Sequence, residues 1–298
     1  MGLWNKDIGL LLNENTVSCE DVMRNLVELK DLAREEIFQI FKLVDRIRQG
    51  EYNHFLSGKT VVLFFPGSSI RTRVTYEKGI NLLGGHTILF DSGALKKKEK
   101  VEDVVGYLNN WADVIVVRHS DIELVKEISK YAKNPVINAM TKANHPCEIL
   151  ADLYALSKLR KDYLKAEYLY IGPPSNIGRT WLEASDLLDF SITQCCPSGY
   201  EMESTNIVYD IADAIMDKDI VLTDSLSKEQ LQDFNDYQIT CELMDKANDN
   251  ALINPCPPFF RGEEVTDDVI SSKYFVGYDF KKSLLEVQQA IIVFTMTN

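Results

Sequence analysis

Two arginines at the start of a predicted helix are the residues in this sequence best suited to chemistry. Arg71 and Arg73 end the stretch Phe64–Arg73, which follows the apolar run 60–65. That run, bounded by glycine and proline, is typical of a buried strand, and the spacing after Arg73 predicts a helix that ends at Gly84. Free N–H groups and the dipole at a helix start attract anions, and two cations there strengthen the field. The stretch therefore predicts an anion site, with two solvated arginines as the simpler alternative.

Hydroxyl groups and lysines surround this turn. Ser68 and Ser69 are natural N-caps, so we expect them to begin the helix. After a second strand, 85–90, a loop that contains glycine and serine carries a cluster of lysines. These are Lys96, Lys97, Lys98 and Lys100. Against a net charge of −13, the cluster favours a functional role over a solvated face.

Two further predicted strands end in polar side chains. Arg118 follows the buried run 113–117, and His145 follows the short strand 135–138 and opens a helix. Ligands in open α/β sheets bind outside the carboxyl ends of the strands, so we expect Arg71, Arg118 and His145 to converge. A neutral imidazole at position 145 could donate to a carbonyl oxygen, although a lone histidine is more often structural.

A cysteine close to His145 suggests a second kind of chemistry. Cys147 invites a Cys/His nucleophile interpretation, which we reject because residues two apart at a helix start do not face each other. The six cysteines are dispersed without metal-binding spacing, so they are typical of reduced thiols and indicate no metal site.

Strands and helices alternate along the chain, which predicts an α/β fold with parallel sheets. The chain has 298 residues, which suggests two domains. In the first half a long helical segment is predicted within 20–50, followed by the strands described above and by helices at 101–111 and 122–132. In the second half we expect strands at 168–171, 192–195, 220–223 and 251–254, helix 180–189, and an amphipathic helix at 284–296. The turn 172–180 resembles a nucleotide-binding glycine turn only weakly, because the G-x-G-x-x-G spacing is missing.

Composition excludes several classes of function. The net charge of −13 and a pI of about 4.9 argue against sequence-independent nucleic-acid binding, which needs a basic surface. No apolar run approaches membrane length and no leader pattern begins the chain. We therefore expect a cytoplasmic protein without a membrane partner.

Nearly the whole chain resembles the aspartate and ornithine carbamoyltransferases, and the donor-side motifs are specific. Ser69-Ile70-Arg71-Thr72-Arg73 resembles the S-T-R-T-R motif that binds carbamoyl phosphate in this family. Val117-Arg118-His119 is similar to the second phosphate arginine, and His145-Pro146-Cys147-Glu148 resembles H-P-x-Q. The resemblance implies that Ser69, Ile70, Arg71, Thr72 and Arg118 bind the phosphate. It also implies that His145 and Arg118 polarise the carbamoyl carbonyl, and that position 148 accepts from the carbamoyl NH₂.

Several other details are nearer the aspartate branch. Lys97 falls where that branch has a loop lysine that reaches a neighbouring subunit, and Gly178-Arg179-Thr180 resembles its acceptor-side G-R-T. Asn254-Pro255-Cys256-Pro257 followed by Arg261-Gly262-Glu263 resembles H-P-x-P and R-G-x-E. With Asp224, which matches an acidic residue of the ornithine branch, the acceptor-side candidates are Asn176, Arg179, Asp224 and Pro257.

The resemblance also implies an architecture. We expect a carbamoyl phosphate-binding domain at 1–143, joined by the C-terminal helix 282–298, and an acceptor-binding domain at 144–281. The site would lie between them in a homotrimer with sites at the subunit interfaces. Transfer from carbamoyl phosphate to an amine acceptor would need no metal and no organic cofactor.

Some positions depart from the family pattern and keep an alternative open. Ile70 replaces a threonine, Glu148 a glutamine and Asn254 a histidine, and 223–227 lacks both branches' acceptor motifs, although Asp224 matches the ornithine branch. The alternative is a catalytically silent paralogue that binds an anion and acts as a regulatory or assembly subunit. A nicotinamide-dependent dehydrogenase is disfavoured because the glycine fingerprint and its acidic partner are missing.

Overall fold

The first half of the chain alternates strands and helices. A computed structural model describes residues 24–95 and 98–297. The bounds in this half are α1 Arg34–Arg48, β1 Thr60–Phe64, α2 Arg71–Leu82, β2 His86–Phe90, α3 Val101–Leu108, β3 Val114–Arg118, α4 Ile122–Tyr131, β4 Val136–Met140 and α5 Pro146–Leu159. Apolar, mostly β-branched residues fill β1 and β3, which are buried in the middle of the first sheet.

The second half repeats the pattern with shorter helices. Its bounds are β5 Tyr168–Ile171, α6 Asn176–Leu188, β6 Ile192–Cys195, β7 Asn206–Val208, α7 Ile211–Ala214, β8 Ile220–Thr223, α8 Cys241–Met244, β9 Leu252–Pro255, α9 Asp267–Ile270 and α10 Ser283–Thr297. The three-residue strand β7 was not predicted, because so short a segment carries no clear periodicity.

Two parallel sheets organise these elements and confirm the predicted fold class. The first has the order β2-β1-β3-β4 and the second the order β7-β6-β5-β8-β9. Every strand pairing within them is parallel. Helix α5 contacts β4 of the first sheet and α6 of the second half. The predicted domain boundary after residue 143 stays a prediction.

The helical segment predicted within 20–50 begins later than expected. Residues 20–23 lie outside the described ranges, and the chain from Arg24 reaches a short 3-10 turn at Leu29–Asp31 before α1 starts at Arg34. The N–H of Leu26 donates to Val136 O at 2.9 Å, and Leu26 pairs with Ile137 beside β4. Pairing with a distant strand therefore overrides the local helical pattern.

The last helix, α10, returns to the first domain as predicted, but its predicted amphipathic character is wrong. It packs against α1, α2 and α5, and most of its side chains are buried, including Gln288 and Gln289. Gln289 Nε2 donates to Gly79 O at 2.8 Å, so a polar side chain is satisfied inside the core. A Cβ at position 79 would lie 3.1 Å from the Gln289 side chain, which explains a glycine in the middle of α2.

None of the helices in the described ranges combines the length and apolar character needed to cross a membrane. Within the same ranges, no group of three or more His, Cys, Asp or Glu side chains is arranged to hold a metal ion.

Candidate active site

A cavity of about 630 Å³ lies where the two sheets' strand ends meet. It brings together nearly all the residues singled out in the sequence. Its lining includes Ser69, Ile70, Arg71, Thr72, Arg118, His145, Glu148, Asn176, Asp224 and Pro257, together with Lys281. The expected convergence of Arg71, Arg118 and His145 follows from the parallel sheet, because the carboxyl ends of its strands share one edge.

The turn before α2 differs from the predicted cap geometry. Helix α2 begins at Arg71, and its N-cap is Ile70, not a serine. Ser68 and Ser69 belong to the preceding turn, where Ser69 N–H donates to Pro66 O and Ile70 N–H donates to Ser68 O. Ser69 is therefore buried in the cavity wall, and its Oγ has no hydrogen-bond partner among the described residues.

The two arginines of this turn have different roles. Arg71 lines the cavity, whereas Arg73 Nε donates to Glu77 Oε1 at 2.6 Å, one helical turn further on. Arg73 is therefore engaged in a surface ion pair along α2. The positive charge that faces the cavity from this helix start is that of Arg71.

Arg118 extends the same positive field from the end of β3. Its Nη1 donates to Thr72 Oγ1 at 2.7 Å, while its buried Nε has no partner in the part of the chain that the structure describes. Burial and the neighbouring Arg71 lower the pKa of Arg118, although a guanidinium remains charged. Two cations held close together next to a helix start favour binding of an anion.

His145 occupies the N-cap position of α5, which begins at Pro146. Proline is well suited to this first helical position. Burial, together with Arg118 and Lys281, lowers the pKa of His145 to about 4, so the imidazole is neutral at pH 7. Its Nδ1 is buried with no partner in residues 24–95 and 98–297. The role of His145 as a hydrogen-bond donor to a carbonyl oxygen stays a prediction.

A lysine and an aspartate that were not predicted accompany Glu148. Lys281 Nζ donates to Glu148 Oε1 at 2.8 Å and to Asp152 Oδ1 at 2.6 Å. Asp152 Oδ2 in turn accepts from Asn254 Nδ2 at 2.8 Å. Glu148 and Asp152 are four residues apart in the apolar first part of the helix, and that spacing was the available signal that a cation packs against them.

These contacts decide the charge state of the two carboxylates. Burial opposes ionisation of Glu148, but the positive charges of Lys281 and Arg118 outweigh it and hold the pKa of Glu148 below its ordinary value. Burial, only partly offset by Lys281 and reinforced by Glu148, raises the pKa of Asp152 to about 6. Lys281 thus pairs with both carboxylates, and its positive charge offsets the negative charge that Glu148 adds beside the proposed anion site.

The remaining wall comes from the second half of the chain. Burial raises the pKa of Asp224, although Ser175 and the Ser225 N–H donate to it, the latter at 2.9 Å. Asn176 Nδ2 donates to Thr141 O at 2.7 Å across the two halves, and Pro257 lies in the wall after β9. Arg179 is exposed, and the described residues that line the cavity do not include it.

The glycines of the turn 172–180 serve packing. A Cβ at Gly178 would lie 2.6 Å from the Tyr170 ring, and one at Gly172 would lie 2.9 Å from the Tyr170 hydroxyl. That hydroxyl donates to Pro173 O at 2.9 Å and also contacts Ser175 Oγ. These close contacts with Tyr170 account for both glycines without a bound phosphate.

Cys147 and Lys97 are the two remaining sequence candidates. Cys147 is buried, its Sγ donates to Asn138 O at 3.3 Å, and burial raises its pKa to about 12. A thiol in that state is a poor nucleophile, which agrees with rejecting a Cys/His pair. Lys97, the predicted loop lysine, lies outside the described residues, as does Lys96.

Comparison with known proteins agrees with this geometry. Residues 24–158 match the family described as aspartate/ornithine carbamoyltransferase, carbamoyl-P binding domain, and residues 165–295 match its Asp/Orn binding domain. The chain is 31% identical to an ornithine carbamoyltransferase of Geobacter sulfurreducens over 92% of this chain and 100% of the relative. It is 32% identical to that of Chromobacterium violaceum, over 92% and 97% of the two chains.

Solved structures give the same result. The ornithine carbamoyltransferase of Pyrococcus furiosus superposes with a TM-score of 0.87 at 28% identity, covering 92% of this chain and 97% of that one. The enzyme of Burkholderia thailandensis gives a TM-score of 0.86 at 29% identity, covering 92% and 98%. These relatives bear the ornithine name, although several motifs here are nearer the aspartate branch. The chain belongs to the aspartate/ornithine carbamoyltransferase family and is a carbamoyltransferase.

Proposed function

We propose that this enzyme transfers the carbamoyl group of carbamoyl phosphate to the amino group of an amino acid or related amine and releases phosphate. The observation that carries the proposal is a set of three polar atoms that belong to cavity-lining residues, Ser69 Oγ, Arg118 Nε and His145 Nδ1. All three are buried, and none has a hydrogen-bond partner among the residues described. Leaving buried polar atoms unpaired is costly, so their grouping beside Arg71 indicates a polar anionic ligand.

The donor fits these groups in one orientation. Its phosphate would bind the start of α2 through the backbone N–H groups of the first helical turn and the side chains of Ser69, Arg71 and Thr72, with Arg118 alongside. The carbonyl oxygen would then accept from His145 and Arg118. The Ile70 N–H donates to Ser68 O and the Ile70 side chain is exposed, so a direct contact of Ile70 with the phosphate remains a prediction.

The chemistry requires positioning and charge stabilisation. A neutral acceptor amine attacks the carbamoyl carbon, a C–N bond forms, and the negative charge that develops on the carbonyl oxygen is stabilised by His145 and Arg118. The C–O bond to phosphate then breaks, phosphate leaves with the electron pair, and the surplus proton of the amine passes to the departing phosphate. Holding two substrates in one cavity supplies much of the acceleration, because no covalent intermediate is needed.

Asp224 supports a basic acceptor. Its carboxylate is partly buried in a residue that lines the cavity, and it is hydrogen-bonded only to neutral donors in the described structure, Ser175 and Ser225. A cationic group next to it would restore the charge balance. We therefore propose an acceptor with a second ammonium group, a class that includes the ornithine named by the relatives, with Asn176 and Pro257 beside it. A role for Arg179 on the acceptor side remains a prediction.

We also propose a homotrimer in which Lys97 reaches the neighbouring site. The edge strand β2, the end of α3 and the turn after it expose large apolar side chains, namely Ile88, Phe90, Tyr107 and Trp111. Exposed apolar groups on one side of a sheet are typical of an interface. A cytoplasmic location likewise remains a prediction.

A panel assay tests the function. Purified protein is incubated with carbamoyl phosphate and, in separate reactions, ornithine, lysine, putrescine or aspartate, and both phosphate release and the carbamoylated product are measured. We expect turnover with at least one diamino acceptor and little with aspartate. The variant D224N should raise KM for that acceptor about tenfold or more while leaving KM for carbamoyl phosphate nearly unchanged.

The outcomes are distinct. Binding of carbamoyl phosphate without turnover of any amine would favour the silent paralogue, which no feature of the described residues otherwise supports. Efficient turnover of aspartate alone would overturn the assignment of Asp224.

A further inference from the structure

Lys281 belongs to the segment that leads into α10, far in sequence from the donor motifs. It is mostly buried, lines the cavity, and bridges Glu148 and Asp152 at 2.8 and 2.6 Å. The neighbouring Lys282 instead pairs on the surface with Asp279 at 2.8 Å, where both side chains are largely exposed. The chain therefore offers two adjacent lysines, of which one points into the site.

The bridge fixes the orientation of Glu148. Because Oε1 is taken by Lys281, the other oxygen, Oε2, is the one that lies towards His145, at 3.9 Å from Nε2. Asp152 holds the far side of the ammonium and is itself anchored by Asn254 at the end of β9. Three parts of the fold thus hold one carboxylate in one rotamer: α5, β9 and the segment before α10.

The ion pair with Lys281 also stabilises the charged form of Glu148. A glutamate that is only 5% exposed and stands beside a phosphate site would ordinarily take up a proton or turn away. The positive charge of Lys281 lets it stay ionised, and an ionised carboxylate only accepts hydrogen bonds. Two of the three replacements noted in the sequence, Glu148 and Asn254, belong to this one network.

We propose that Lys281 is a positioning residue for the transfer reaction, which holds Glu148 so that Oε2 accepts from the carbamoyl NH₂ of the donor. The inference rests on the proposed function, because it presumes that carbamoyl phosphate is the donor. It extends that function to a residue outside the recognised motifs, and it makes the preference for a carbamoyl group depend on the C-terminal segment.

Discrimination between two donors tests the proposal. Acetyl phosphate has a methyl group where carbamoyl phosphate has its NH₂, so it cannot donate to Glu148. Dissociation constants for both compounds are measured by calorimetry at pH 7 on wild type, K281M, K281R and the surface control K282M. We expect wild type, K281R and K282M to prefer carbamoyl phosphate by about tenfold or more, the range of one hydrogen bond to a charged group.

In K281M the preference should fall to within about threefold, with the affinity for acetyl phosphate little changed. The substitution K281M is then made in the E148Q variant, where the neutral amide at position 148 needs no nearby cation to stabilise it. There we expect discrimination to be equal in E148Q and E148Q/K281M. If K281M proves unstable, D152N/K281M leaves one unpaired carboxylate instead of two and supplies the same comparison.

Three results would overturn the proposal. Full discrimination in K281M would show that Lys281 is not needed. An equal loss in the E148Q background would show that Lys281 acts on the whole structure and not through Glu148. If neither compound binds wild type, the proposed function fails as well, whereas binding of both with no effect of Lys281 rejects this inference alone.

Discussion

Arg118 Nη1 donates to Thr72 Oγ1 at 2.7 Å, which joins the end of β3 to the first turn of α2. The guanidinium is thereby held in place before any ligand arrives, with its Nε unused by the described residues. Preorganised donors of this kind are effective because they need no rearrangement when charge develops on the substrate. This contact brings the two arginine motifs together at the proposed anion site.

The two arginines of α2 form a matched pair for testing that site. We expect R71A to weaken carbamoyl phosphate binding about 10- to 100-fold, because it removes a charge-assisted contact to a dianion. We expect R73A to change binding only slightly, because Arg73 is engaged by Glu77. Calorimetry on both folded variants measures the difference. Equal losses in the two variants, or unchanged affinity in R71A, would contradict the phosphate assignment.

His145 should remain neutral well below the ordinary histidine range. Burial lowers its pKa from 6.5 to about 4, so between these values the unfolded chain binds more protons than the folded protein. Its contribution to stability is therefore present above pH 6.5 and declines as the pH falls towards 4. Nitrogen-15 spectra of histidine-labelled protein, assigned with H145N, should show titration near pH 4. Titration of this ring near 6.5 would argue against a neutral donor in a dry site.

Glu264 should give the protein an opposite pH dependence. Its Oε1 accepts from Phe260 N–H at 2.6 Å, Oε2 is buried without a partner among the described residues, and burial raises its pKa to about 7. The stability it contributes is fully present below its ordinary value of 4.5 and is lost as the pH rises through about 7. E264Q keeps the acceptor oxygen but does not titrate.

Melting temperatures of wild type and E264Q at pH 5 and pH 8 measure this effect. We expect wild type to lose more stability than E264Q over that interval, since other titrating groups are common to both proteins. Parallel losses in the two proteins would show that Glu264 is ionised throughout.

The parts of the site that were predictable depend on short-range patterns. Arg71, Arg118 and His145 each follow a buried strand, and strand ends meet at one edge of a parallel sheet. Lys281 was not predictable in this way, because it reaches Glu148 from 133 positions away and only the return of α10 brings them together. The local preference of serine for an N-cap also gave a wrong prediction for Ser69. Its hydroxyl suits a cap, but the residue belongs to the turn before α2. A polar residue such as Gln289 is typical of the solvent-facing side of an amphipathic helix. Gln289 is buried instead, because its side chain donates to Gly79 O.

The last prediction concerns the lysine cluster, Lys96, Lys97, Lys98 and Lys100, and the proposed trimer. Like charges this close repel one another unless they meet an anion, and the protein is strongly acidic elsewhere. In cis, Arg71 and Arg118 already face the cavity. A cyclic trimer has head-to-tail interfaces, so the loop of one subunit can face the site of the next. We therefore expect R71A and K97A each to be nearly inactive when assayed alone.

When equal amounts of the two variants are unfolded and refolded together, some sites will combine Arg71 from one chain with Lys97 from its neighbour. Random assembly makes about one site in four complete, so activity should return to roughly that fraction of wild type. Native mass spectrometry confirms that mixed trimers have formed, and each variant refolded alone is the control. Mixed trimers that remain as inactive as the separate variants would show that Lys97 does not act across the interface. Restored activity in a protein that stays monomeric would reject the trimer instead.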